Sequence, residues 1–220
     1  MKEIKALIIK DLTLEWRQRY ALNGMLLYLV STIFVAYMSF KLKIDAMEPI
    51  TWNTLFWIIL LFAAVNSVTK SFTQERSGRL LYYYTLASPQ SIILSKIIYN
   101  TGLLLMLGWV GYGLYAVFMG HPVEDPALYF VSVGLGGLGF SATLTLVAGI
   151  ASKADNTATL MAVLSFPIIL PMLTLLIKLS KVAVDGLGWS AAQDEIITLL
   201  GIDLLVIALS YLLFPYLWKS

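Results

Sequence analysis

ALYFVSVGLGGLGFSATLTLVAGIAS, residues 127–152, runs for 26 residues without an Asp, Glu, Lys or Arg. A helix crosses the roughly 30 Å of membrane hydrocarbon in about 20 residues, at about 1.5 Å each. In lipid, backbone donors and acceptors must be satisfied within the segment, so such a stretch is expected to be a helix. A buried sheet would break into shorter apolar runs. Five further stretches pass the same test, at 21–40, 51–69, 97–120, 157–177 and 196–218, and the only acid or base within any of them is Asp203. Composition agrees, with 59% apolar and 13% charged residues, against about 45–50% and about 25% in ordinary soluble domains. We expect an all-α integral membrane protein, a single six-span domain over residues 1–220. The mixed first nineteen residues show no small-residue cleavage site, so no cleavable signal peptide is expected.

Lysine and arginine set the expected orientation. Eleven lie on the side that holds the N-terminus, the second loop, Lys153 and Lys219, against four on the other side (Lys41, Lys43, Lys178 and Lys181). The richer side is expected to be cytoplasmic, with both termini there. The second loop, residues 70–96, is the longest on that side. Ser71-Phe72-Thr73-Gln74 fits a capping box, and Glu75 and Arg79 stand four apart in the favoured order for a helical ion pair. Ser88 and Pro89 suit the cap and first position of a new helix. This predicts a cytoplasmic helix over 72–86, either lying on the membrane surface or docking a cytoplasmic protein. Arg76 and Arg79 would meet acids, Phe72 and Leu80 would serve as apolar anchors, and Gly78 would allow close packing. At the N-terminus Ile4, Ile8, Leu12 and Trp16 form a drifting apolar stripe with Asp11 and Glu15 on its edge. An interfacial helix carrying Asp11, Glu15 and Arg17 is expected there, with Glu15 paired to Arg19 and the stripe meeting either lipid or a protein.

Inside the membrane, Gly137, Ser141, Thr145 and Gly149 recur every four residues, the spacing of a close helix contact. Gly134, Gly136 and Gly139 offer further close approach. Pro167 and Pro171 should kink the fifth span, and a moving gate is the less common outcome. Asp203 is expected about seven residues, or roughly 10 Å, from the outer end, within reach of water and engaged in structural pairing. His121 is the single histidine, an exposed and isolated ligand in the hairpin between the third and fourth spans. There is no cysteine, no G-x-x-x-x-G-K-[ST] loop for ATP, no nucleophile elbow and no paired metal-ligand spacing. A net charge of +2 without a basic run gives no ground for a nucleic-acid partner. An enzyme is not expected. A permease-like subunit that draws its energy from elsewhere is.

Three motifs carry a resemblance. Phe72-x-x-Glu75-x-x-Gly78-x-Leu80 with Pro89 and Lys96 resembles the cytoplasmic signature of the CcmB family, membrane subunits of the bacterial cytochrome c maturation ABC transporter. Lys10-Asp11-Leu12-x-Leu14-Glu15-x-Arg17 is similar to that family's start, and Pro167-x-x-x-Pro171 to its proline pair. Near Ser77 and Leu81, where the family commonly carries acids, this chain is uncharged. The resemblance implies an ABC exporter permease-like subunit of the inner membrane, with Phe72, Glu75, Arg76, Gly78, Arg79 and Leu80 as the ATPase-coupling interface. It implies ATP on a CcmA-like partner, haem handled by the complex, and CcmC-like and CcmD-like neighbours. No cofactor is expected on this chain itself.

Overall fold

The computed structural model describes residues 2–18, 20–41, 47–73, 87–151 and 157–219. Among them are seven α-helices and no strand. They are α1 (Lys2–Gln18), α2 (Tyr20–Lys41), α3 (Pro49–Thr73), α4 (Pro89–Met119), α5 (Pro126–Ala151), α6 (Thr157–Val184) and α7 (Gln193–Lys219), with a 3₁₀ turn at Trp189–Ala192 before the last. Among the described residues, six helices are long and apolar enough to cross a membrane, α2 through α7.

The helix that is richest in small residues occupies the centre. α5 packs against α3, α4, α6 and α7, and 72% of its apolar window is buried. The corresponding share is 17% for α2 and 22% for α7, which leaves those two on the periphery. Glycine, serine and threonine let neighbouring backbones come close, which is how helices gain contact when lipid is already as apolar as leucine. The four-residue ridge divides between two neighbours. A Cβ on Gly137 would meet Leu105 of α4 at 3.1 Å. Ser141 donates to the Ile97 carbonyl of α4 at 2.9 Å, and Thr145 accepts from Asn100 of α4 at 2.9 Å. Gly149 faces Phe214 of α7. Gly136 and Gly139 turn toward α3, α6 and α7, whereas Gly134 has no neighbour within 4 Å of an added Cβ.

Several boundaries differ from the expectation. α4 starts at Pro89, eight residues before residue 97, with Ser88 as its cap and the Ser88 hydroxyl accepting from Ser91 N–H. Its 31 residues make a rod of about 46 Å, longer than the hydrocarbon it crosses. α3 continues unbroken through Thr73, so Ser71 is not a helix cap. The apolar run carries the helix past the local capping signal. Helix thus takes up both ends of the 70–96 loop. Of the expected coupling interface, Phe72 is the last residue but one of α3, whereas Glu75, Arg76, Gly78, Arg79 and Leu80 lie outside the described residues. α6 runs through Pro167 and Pro171 without ending, and both prolines are exposed on its surface and do not line the bundle interior.

Candidate functional site

The connection from α3 delivers the chain to the start of α4, and α1 is fastened there. Glu3 accepts hydrogen bonds from the Ser88 hydroxyl at 3.2 Å and the Ser88 N–H at 3.5 Å. The Ser91 hydroxyl first, then the Ser88 N–H and hydroxyl, hold the Glu3 carboxyl below its ordinary range. That support is present above the carboxylate range and is lost as pH falls through it. Two turns on, Asp11 forms an ion pair with Lys96 at 3.3 Å, the two side chains only 7% and 5% exposed. Lys10 reaches the same carboxylate at 2.9 Å. One turn further, Tyr99 donates to Glu15 at 3.2 Å. Partners advance together along both helices, from Glu3 to Glu15 and from Ser88 to Tyr99, so α1 runs alongside α4 in the same direction.

The acids at the edge of the expected apolar stripe face α4. Asp11 is buried, while Leu12 and Trp16 point outward at 55% and 76% exposure. The acids belong to the packing face, and the apolar stripe turns in part to the surroundings. Arg17 is exposed in the last turn, where a cation complements the negative end of the helix dipole. Arg19, the expected partner of Glu15, lies outside the described residues.

The polar path goes on from α4 into the centre. Lys96 and Asn100 are buried one turn apart, and Asn100 bonds to Thr145 of α5. Ser95 and Ser141 spend their hydroxyls on the carbonyls of Ile92 and Ile97. The start of α4 is therefore bonded to α1 through the carboxylates and to α5 through Asn100 and Ser141.

At the other end, aromatic side chains with bonded polar tips close the bundle. Trp52, Phe56, Tyr112, Tyr115 and Tyr129 share ring contacts, with Trp52–Tyr115 and Tyr112–Tyr129 centroids each 4.8 Å apart. Trp52 donates to the Gly120 carbonyl at 3.1 Å, Tyr115 to the Trp52 carbonyl at 3.1 Å, and Tyr129 to Asn53 at 3.2 Å. Asn53 donates to the Ile177 carbonyl at 3.0 Å, and Trp57 to Ser180 at 2.7 Å. Each bond joins α3 or its neighbours to another span, so this end is riveted while the other holds the α1–α4 latch. His121 is exposed but not isolated. Its Nε2 lies 2.7 Å from the Tyr112 hydroxyl, at the edge of this cluster.

Asp203 departs from its expected setting. It lies ten residues into α7, about 15 Å along the helix, and is only 1% exposed. It abuts Gly139, where an added Cβ would also meet Met172 Sδ at 2.7 Å. Neither carboxylate oxygen has a hydrogen-bond partner among the described residues. Among the described residues, the expected structural pairing is absent. An apolar residue of the same shape loses no bond there, so Asp203→Leu is expected to leave the thermal unfolding midpoint in detergent unchanged or raised. A fall of several degrees would show that the carboxyl supports the fold. A folded Asp203→Leu protein that no longer sustains function would assign the group to function.

The described residues hold no cluster of three or more His, Asp or Glu side chains placed to bind a metal. Long apolar helices around a glycine-rich centre, latched at one end and riveted at the other, define a multi-pass α-helical membrane protein. The chain belongs to the CcmB family, whose model, described as CcmB protein, matches residues 2–216. No curated protein and no solved structure matches it.

The sequence reading picked out Asp11, Glu15 and Asp203, but not Lys96 as the buried partner of Asp11, nor Tyr99, Asn100, Trp52, Asn53 or Trp57. The available signal was polar or aromatic character within or beside spans otherwise free of charge.

Proposed function

We propose that this chain is the membrane subunit of an ABC transporter complex for cytochrome c maturation. In this reading ATP hydrolysis on a CcmA-like partner is coupled to haem handling, or to release of a haem-loaded chaperone. CcmC-like and CcmD-like subunits sit beside the chain in the inner membrane, and both its termini are cytoplasmic. Family membership supports the class of complex. The lack of any P-loop in the 220 residues fits a reading in which ATP is bound by a partner.

The observation that carries the coupling role is the α1–α4 latch. In this reading a partner engages residues 72–86, the chain that leads into α4, and the start of α4 is tied to α1 by Asp11–Lys96 and to α5 by Asn100–Thr145. The push reaches the central helix through bonds and not through lipid. Haem is cargo of the complex in this proposal. The exposed His121, already bonded to Tyr112, is not assigned as its ligand.

The test is co-purification. A tagged chain extracted from membranes in mild detergent is expected to bring down a P-loop ATPase in stoichiometric amount. A stably folded chain that purifies without one would reduce it to a membrane scaffold.

A further inference from the structure

A groove of about 290 Å³ lies where α1, α2 and α4 meet. Its walls include Ile8, Leu12, Ile98 and Met106, and the bare backbone of Gly102 leaves it open, with nothing within 4 Å of an added Cβ. Leu12 and Ile98 are half-exposed, so the groove communicates with the surroundings. In a bilayer such a groove does not stay empty, because its lining would forfeit dispersion contacts that a lipid chain supplies. The open question is which headgroup accompanies the chain.

Glu15 answers it. Its Oε2 accepts from Tyr99, whereas its Oε1 is buried without a hydrogen-bond partner among the described residues. An unpaired buried acceptor is costly, and a charged one more so. The terminal torsion of glutamate is broad, so a small rotation presents that oxygen to the groove. A primary ammonium supplies both the missing donor and the opposite charge. A trimethylated ammonium has the charge without the donor, and a phosphoglycerol head has the wrong charge. We propose that the α1–α2–α4 groove is a binding site for one amine-headed phospholipid, with Glu15 selecting the headgroup. Held there, the lipid braces α1 against α4 beside the Asp11–Lys96 pair. The site stands independently of the ATPase partner, so its failure and the failure of the coupling role are separate results.

The full chain, purified in detergent, is offered equal amounts of dioleoyl phosphatidylethanolamine and phosphatidylglycerol, then separately phosphatidylethanolamine and phosphatidylcholine. Native mass spectrometry reads the one lipid that survives mild activation. The wild-type chain is expected to retain the ethanolamine lipid in roughly fivefold preference in both mixtures. Glu15→Gln still accepts from Tyr99 but lacks the charge, and its preference over phosphatidylglycerol should fall to about one. Gly102→Leu fills open space and should retain neither lipid. Equal retention by the wild-type chain, an undiminished preference in Glu15→Gln, or a lipid still held by Gly102→Leu would overturn the proposal. So would a wild-type groove that retains no lipid because it is empty or covered by another chain's helix.

Discussion

Asp11→Leu is expected to destabilise the protein by about 3–5 kcal/mol, the usual cost of removing one partner from a buried ion pair. Asp11 and Lys96 are each less than a tenth exposed, so little solvent screening softens the loss. The substitution takes the carboxylate from a buried ammonium and removes the middle contact between α1 and α4. Lys96→Met should be milder, because Asp11 keeps Lys10 at 2.9 Å on a partly exposed side. The double variant Asp11→Leu with Lys96→Met should recover most of the loss, since replacing both members of a buried pair by apolar groups is often neutral. Equilibrium unfolding in detergent measures all three. A loss below about 1 kcal/mol for Asp11→Leu, the ceiling of an exposed pair, would mean that this contact does not hold α1 in place.

Gly136→Leu is the second large effect. A Cβ at Gly136 would sit 2.5 Å from Cζ3 and 2.7 Å from Cη2 of Trp57. The indole cannot step aside cheaply, because it is fully buried and donates to Ser180 at 2.7 Å. Overpacking costs about 1–3 kcal/mol, and stranding the indole N–H costs about 1–3 kcal/mol more. A loss of about 3 kcal/mol or more is expected. Gly134→Ala, with open space around it, should be neutral or slightly stabilising. Trp57→Phe should partly rescue Gly136→Ala by shortening the ring, and Ser180 keeps a partner in the Leu176 carbonyl. Equal behaviour of Gly136→Leu and Gly134→Ala in thermal unfolding would show that α5 is not packed as described.

The spans were legible because charge-free runs of this length have few other homes, and the Ser88-Pro89 restart was legible because cap chemistry is local. The α5 ridge could be read as a packing surface from its spacing alone. For α1 the stripe was legible, but the choice between lipid and protein contact was not. The soluble rule that an apolar stripe points inward fails beside lipid, where Leu12 and Trp16 can face out at no cost while Asp11 must seek Lys96. Lys96 was legible as part of the second-loop signature but not as a buried partner, because Asp11 is 85 residues away in the chain. Ser71 carried a good capping pattern that the continuing helix of α3 overrode. Asp203 was placed too shallow because α7 begins at Gln193 and not at residue 196. The aromatic cluster depends on bonds such as Asn53 to Ile177 and Trp57 to Ser180, which no local pattern announces.

In the proposed function, force from an ATPase enters through residues 72–86. Gly78→Trp and Glu75→Lys test it most directly, in a pull-down of the ATPase run beside an assay of cytochrome c maturation. Both variants are predicted to insert at wild-type levels while the ATPase either fails to co-purify or hydrolyses ATP without driving maturation. Full ATPase binding together with full maturation in both variants would contradict the account, and the segment would then be an element of the membrane surface alone.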